Sequence, residues 1–249
     1  MNKIGAADYG LDVWFGGNYD YTERLAMLKR LGFDGIERLK ARSAAEAMSI
    51  RADAKKMGMD FAVCEGLLPY ETIRWTAALD MKYVWTAPSP IPPVDKKDFF
   101  RGVNAQIEVA EKYGLKVVLH NHLGLVIESQ ADVEEYLREC PRGYLLLDTG
   151  HLVGAGGSPE EIIEKYHDRI AAVHFKDFVY KDKDNEVWHK RLRFCELGVG
   201  EIGDRSKTML KMLKSFGYDG WIFVEHDTHV EDVERELKTS VDYIKEALK

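Results

Sequence analysis

Four apolar runs in the second half of the chain close on a residue able to bind a metal. Residues 117–119 lead to His120, with Asn121 and His122 behind it; 144–147 lead to Asp148; 170–173 lead to His174; and 221–224 lead to Glu225. Oxygen and nitrogen donors without thiolate suit Mn, Mg, Zn or Co, and a convergent set of them suits metal-assisted chemistry. Residues two apart on a strand face one side, so His120 and His122 can both point inward, with His122 already at the edge of the loop. A carboxylate closing a buried strand, as Asp148 does, is costly unless paired or metal-bound. His151 follows it across Thr149-Gly150. Each residue has an ordinary reading: a cap for Asp148, a satisfied core histidine for His174, a salt bridge for Glu225. Chance rarely sets all four at the ends of successive strands. His167, near a helix end, and His189, His226 and His229 are weaker candidates.

Strand ends meet only if the strands run parallel and close into a ring. Apolar periodicity predicts strands over 3–7, 35–37, 60–64 and 82–85 ahead of those four, with helices over 21–31, 44–57, 71–78, 94–113, 130–139, 159–166, 206–216 and 230–248. Eight strand–helix units are the count of a (β/α)8 TIM barrel, here as one domain over residues 1–249. A doubly wound sheet shares the local signals, but no G-x-G-x-x-G follows the first strand, so its dinucleotide-binding form has no support. A proline-rich stretch occupies 88–93. Between His174 and Ser206 lie about thirty residues with no barrel strand, the length of a lid or binding loop at the same mouth. They include Lys176, Asp177, Trp188, His189 and the run Gly198-Val199-Gly200-Glu201. Trp14, Phe15 and Trp188 are aromatics for the pocket, a subunit interface or the core.

Composition narrows the partners. The chain has 249 residues, 45% of them hydrophobic and 31% charged, enough to bury a large core. A net charge of −7 argues against a general nucleic-acid binder. No apolar run is long enough to cross a bilayer, and the first residues lack the apolar core of a signal peptide. Cys64, Cys140 and Cys195 are widely spaced and form no C-x-x-C. The expectation is a reduced, cytoplasmic setting with no nucleic acid, no membrane and no catalytic thiol.

The runs Leu119-His120-Asn121-His122-Leu123-Gly124, Leu147-Asp148-Thr149-Gly150-His151-Leu152 and Val173-His174-Phe175-Lys176-Asp177 resemble the xylose-isomerase-like sugar isomerase/epimerase superfamily. So do Leu197-Gly198-Val199-Gly200-Glu201 and the G-Y-x-G-W-x-x-V-E run ending at Glu225. Their order is closest to the inosose dehydratase branch. The likeness is good over residues 115–228, and rests on strand–helix pattern before that.

The resemblance implies a divalent metal, manganese first with magnesium, cobalt or zinc as alternatives, held by His120, Asp148, His174 and Glu225. His120, with His122 as the alternative, stands where many epimerases carry a glutamate that is also one of two acid/base carboxylates. This departure favours elimination over epimerisation. His151 matches a position that contacts substrate, and Glu65 and Glu37 fall where relatives hold polar substrate groups. His122, His151, Lys176 and Glu65 are the candidate catalytic residues, Lys176 on condition that its pKa is lowered at the site. A metal that polarises a ketone acidifies the adjacent C–H; reprotonation then isomerises, and expulsion of a β-substituent dehydrates. The expected function is a dehydratase-like lyase on a keto-polyol or oxidised sugar. Alternatives are a sugar 3-epimerase or aldose–ketose isomerase, and a lyase cleaving 3-oxo-(C-)glycosides beside a smaller partner subunit. An AP endonuclease needs more ligands and a DNA surface, and a barrel without activity is the non-enzyme reading. A sugar or cyclitol is the expected small-molecule partner, with a homo-oligomer or a small subunit as the protein partner.

Overall fold

The computed structural model describes residues 2–14, 20–86, 95–227 and 232–249, with the side chains of residues 12–14 excepted. Phe15, the proline-rich stretch, His229 and the side chain of Trp14 lie outside the described residues.

Eight strands form one parallel sheet: β1 (Ile4–Ala6), β2 (Gly35–Lys40), β3 (Asp60–Glu65), β4 (Tyr83–Trp85), β5 (Lys116–His120), β6 (Tyr144–Asp148), β7 (Ile170–Phe175) and, after a hairpin, β10 (Trp221–Val224). The hydrogen-bonded order is β3-β2-β1-β10-β7-β6-β5-β4. Strands β3 and β4, at its two ends, lie side by side and nearly close the ring. The result is a TIM barrel. Its outer layer is α1 (Asp8–Trp14), α2 (Tyr21–Leu31), α3 (Ala44–Lys56), α4 (Pro69–Ala78), α5 (Lys96–Glu111), α6 (Gln130–Glu139), α7 (Thr149–Gly154), α8 (Pro159–Tyr166), α9 (Trp188–Arg191), α10 (Arg205–Ser215) and α11 (Val233–Ala247).

Local chemistry sets the ends of these helices. Asp20, Ser43, Asp95, Ser158 and Asp232 each accept a first-turn backbone N–H through the side chain, which fixes the starts of α2, α3, α5, α8 and α11. Gly32 ends α2 with φ 101°. Leu237, Val241 and Ile244 of α11 recur on one face and are buried, worth about 1.5–3 kcal/mol each in apolar burial.

Strand residues alternate between two apolar layers. Val117, Leu119, Leu145, Leu147, Val173 and Ile222 pack outward against the helices. Val118, Leu146, Ala172 and Phe223 belong to a separate inner cluster. The inner file of each strand therefore runs on, two residues later, to His120, Asp148, His174 and Glu225.

Three expectations change. The long segment after β7 is built rather than loose: β8 (Asp177–Tyr180) pairs antiparallel with β9 (Leu192–Cys195), and α9 precedes the return strand. Buried Phe178, Leu192 and Phe194 supply its apolar face. Strand β2 reaches Lys40, so Glu37 lies within the strand instead of following it. The Thr149-Gly150 turn is the first turn of α7, and α1 gave no periodic signal of its own because it spans barely two turns.

Candidate metal centre

One potential donor atom from each of His120, Asp148, His174 and Glu225 lies within 4.8 Å of the others. His120 Nε2 is 3.1 Å from Asp148 Oδ2, and His174 Nδ1 is 2.5 Å from Glu225 Oε2 and 3.6 Å from Asp148 Oδ2. The last three residues are buried. Both nitrogens of His174 and Oε2 of Glu225 nevertheless lack an aligned hydrogen-bond partner. Buried polar groups normally have one, so donor atoms crowded this closely with some left without an aligned partner fit a cation. Two imidazoles and two carboxylates suit Mn, Mg, Co or Zn.

Support for these donors comes from directly behind them. Asp148 divides its oxygens: Oδ1 accepts the His151 N–H at 2.7 Å and caps α7, leaving Oδ2 for the donor group. The cap reading and the ligand reading of this residue therefore hold together. Asn121, fully buried, donates to the Asp148 carbonyl and accepts from the Asp148 N–H, at 3.1 and 2.9 Å, which locks β5 to β6 at the site. His174 Nε2 faces Glu37 Oε1 at 3.2 Å, the carboxylate–histidine arrangement that orients a ligating imidazole. Burial would raise the Glu37 pKa, but His174 and Arg38 outweigh it and lower it to about 2. Burial opposes charge on His174, and the Glu225 and Glu37 carboxylates overcome this to hold its pKa well above the ordinary value. Asp148 and Glu225 are depressed against burial, chiefly by Lys176. His120 is lowered by burial.

A second polar layer sits one step further along the same files. His122, two past His120, packs its ring 3.7 Å from that of His151. His122 Nδ1 donates to the Leu123 carbonyl at 2.8 Å, which leaves Nε2 with its lone pair. Burial, then His151 and His120, push the pKa of His122 down to about 3. Trp188 of α9 meets both rings edge-on, at 5.8 and 5.7 Å, so the hairpin does reach the site. Lys176, two past His174, is fully buried, and a Cβ at Gly150 would collide with it, which accounts for that glycine. The condition placed on Lys176 fails. Burial favours its neutral form, yet Asp148, Asp227 and Glu225 at 3.0, 2.7 and 2.9 Å raise its pKa instead.

Asp227 is the member that the strand-end pattern misses. It lies 3.1 Å from His151 Nε2 and forms a donor group with His122 and His151. The signal was available, because Asp227 stands two residues after Glu225 on the same file. His226 between them is buried on the other side, its pKa lowered to about 4 by burial. His167 stacks on Phe216 at 4.0 Å, away from the site, and His189 is exposed.

A cavity of about 760 Å³ opens against these layers, lined by Glu37, Arg38, Glu65, Trp85, His120, His122, His174, Glu225 and Asp227 among others. Glu65, half-exposed, stands outside the donor group. Its partner is Arg38 at 3.7 Å, and its Oε2 has no hydrogen bond. Arg38 Nε and Lys40 Nζ both bind Asp8, each at 2.7 Å, and Asp8 is fully buried. Beyond β7, buried Asp177 accepts the backbone N–H groups of Gly198, Gly200, Ile202 and Gly203 at 2.9–3.1 Å. A Cβ at Gly200 would strike that carboxylate, so the Gly198-Val199-Gly200-Glu201 run serves this anchor. The three thiols are buried, with Cys64 and Cys195 raised to about 12 and Cys140 to about 11 by burial, far from nucleophilic.

A parallel eight-stranded barrel with its polar cluster, a possible metal site, at the carboxyl ends of the strands is a TIM-barrel protein. The family described as xylose isomerase-like TIM barrel is matched over residues 70–247, and the chain belongs to it. An inosose dehydratase from Clostridium beijerinckii is 30% identical over 177 residues, 67% of this chain and 52% of that protein. The chain spans about half the length of the curated relatives it matches. Among solved structures, a D-psicose 3-epimerase with D-tagatose from Clostridium cellulolyticum H10 superposes with TM-score 0.73 at 15% identity, over 99% of each chain. A xylose isomerase-like TIM barrel protein from Mycobacterium smegmatis, in complex with magnesium, gives 0.72 at 16% identity, over 100% of this chain and 97% of that one. At such identities the structural likeness concerns the fold. Among the described residues, no helix is long and apolar enough to cross a membrane.

Proposed function

We propose that this protein is a divalent-metal-dependent lyase that removes a proton beside the carbonyl of a keto-polyol or oxidised sugar and expels a β-hydroxyl, as an inosose dehydratase would. One observation carries the reading. The donor atoms of His120, Asp148, His174 and Glu225 lie together beside a 760 Å³ cavity, lined by three of these residues, that also presents the half-exposed carboxylate of Glu65. A neighbour of the same fold, named as a magnesium complex, and relatives named inosose dehydratase agree with it.

His120, Asp148, His174 and Glu225 would hold the ion, manganese or magnesium. Bound there, it would polarise the substrate carbonyl and acidify the neighbouring C–H. The chain's own groups do the rest. Glu37 is committed to His174, and Asp227 to Lys176 and His151, so among the described lining carboxylates outside the donor set Glu65, held only by Arg38 at 3.7 Å, takes the α-proton and then passes it to the departing β-hydroxyl, which leaves as water. Lys176 stays charged behind the donor group and offsets the carboxylates of Asp148, Glu225 and Asp227. His122 Nε2 faces the cavity and meets a substrate hydroxyl as a neutral acceptor, with His151 packed behind its ring. Trp188 behind both rings excludes water.

The test is a panel of scyllo-inosose, keto-hexoses and 3-oxo-glucosides with added Mn2+. Enedione-type absorbance is expected with a cyclic ketone, and exchange between sugar isomers without absorbance would assign epimerisation instead. Glu65→Gln should lower solvent-deuterium uptake at the α-carbon by about 10²–10⁴-fold while metal binding persists. Uptake at the wild-type rate would remove Glu65 from the role of base.

A further inference from the structure

The second polar layer holds a lysine ammonium inside a shell of metal-type ligands. Lys176 Nζ lies 2.7 Å from Asp227 Oδ2, 2.8 Å from His151 Nε2, 2.9 Å from Glu225 Oε2 and 3.0 Å from Asp148 Oδ2. Three carboxylates and an imidazole nitrogen thus surround the ammonium within 3.0 Å, a shell built from the donor types that bind metal ions. Around this point His122, His151 and Asp227 form their own donor group, with ligand atoms within 4.8 Å of one another. His151 Nδ1 is buried without a partner, and His122 keeps a free Nε2. Asp148 and Glu225 touch both the ammonium and the first donor group. Carboxylates shared between two adjacent donor groups are the framework of a two-metal site.

We infer that Lys176 is a built-in cation standing in the second position of a binuclear site, and that it limits the chain to one metal ion. The inference rests on the metal reading of His120, Asp148, His174 and Glu225. Charge supports it: the ammonium and one divalent ion leave the four carboxylates of Asp148, Glu225, Asp227 and Glu37 one negative charge in excess, which Arg38 beside Glu37 meets. A second divalent ion beside the ammonium would leave the buried layers with uncompensated positive charge, which is strongly unfavourable away from water. With the ammonium gone, the histidine–histidine–aspartate group is left next to unmatched negative charge and takes a second ion.

Calorimetric and electron-spin titrations of the full chain with Mn2+ test this. The wild type should saturate at about one ion per chain with an uncoupled manganese signal, and Lys176→Met and Lys176→Gln at about two, with the spin-coupled signal of neighbouring ions. Lys176→Arg, which keeps the charge, and the double change Lys176→Met with His151→Ala should both return to one. Two ions on the wild type, or one on both neutral variants, overturns the inference while leaving the first site intact. No ion on the wild type overturns it together with the metal reading. A neutral variant that unfolds without metal must be restored by Mn2+ with two ions bound; one that stays unfolded in Mn2+ also overturns it.

Discussion

The two halves of the barrel mouth handle charge in opposite ways. On the β5–β10 side, donors at the ends of β5, β6, β7 and β10 point at a common space and leave buried atoms without aligned partners. On the β1–β3 side, Asp8, Arg38, Lys40 and Glu65 compensate one another, with Asp8 held by two cations at 2.7 Å. One half gathers donor atoms around a single space, and the other pairs its charges directly, with Glu65 Oε2 left without a hydrogen bond. The first has the geometry of a cation site, the second that of a polar wall that turns the Glu65 carboxylate toward the same cavity.

Four substitutions sharpen or break that contrast. Asp148→Asn should bring the largest change: Mn2+ binding falls below detection by calorimetry and activity disappears, with the fold intact by circular dichroism. Retained binding would mean that the four donors are not the centre. Glu37→Gln links the two halves, since Glu37 orients His174 from β2. It should weaken metal affinity by about 10–100-fold, read from the calorimetric Kd. Asp8→Asn should cost about 1–3 kcal/mol in urea unfolding, less than a fully buried pair because Arg38 and Lys40 reach water, with metal affinity unchanged. Loss of metal in that variant would show the halves to be coupled. The smallest effect concerns Asp60, at the far end of β3. Burial would raise its pKa, but Lys3, the Phe61 N–H and Arg51 hold it below the ordinary 3.8. A depressed carboxylate contributes stability above its unfolded pKa and loses it as pH falls below that value. Thermal unfolding of Asp60→Asn should therefore show a flatter decline below pH 3.8 than the wild type, with no change at neutral-pH metal binding.

The half that pairs its charges directly was also the less legible half. His120, Asp148, His174 and Glu225 were visible because a buried strand that closes on a polar residue breaks its own apolar pattern, and four such breaks recur at strand spacing. The same period-two rule reaches His122, Lys176 and Asp227, and only Asp227 was passed over, lying beyond the strand it continues. Asp8 and Arg38 carry no such mark. Their pairing spans thirty positions and two elements, α1 and β2, and charged residues in a row such as Glu37, Arg38 and Lys40 read as a solvated strand edge until the fold brings Asp8 over them. The hairpin of β8 and β9 was hidden for a different reason. Its strands are four residues each and are separated by the charged run 181–186, so neither is long enough to show alternation on its own. The charge state of Lys176 could not be read at all, because it depends on three carboxylates from β6 and β10 that only the closed barrel brings together.

The carboxylate of Asp177 has a mechanical meaning. By gathering four N–H groups of the return segment, it ties the hairpin to the strand that carries His174 and Lys176. The root of the crossover is thereby fastened to the barrel, on the strand next to the donor group. Among the described residues, the cavity also meets solvent past Tyr9, Leu67 and Leu68, where apolar side chains stand open. Substrate would arrive and product depart over a greasy threshold, with the polar chemistry waiting behind it.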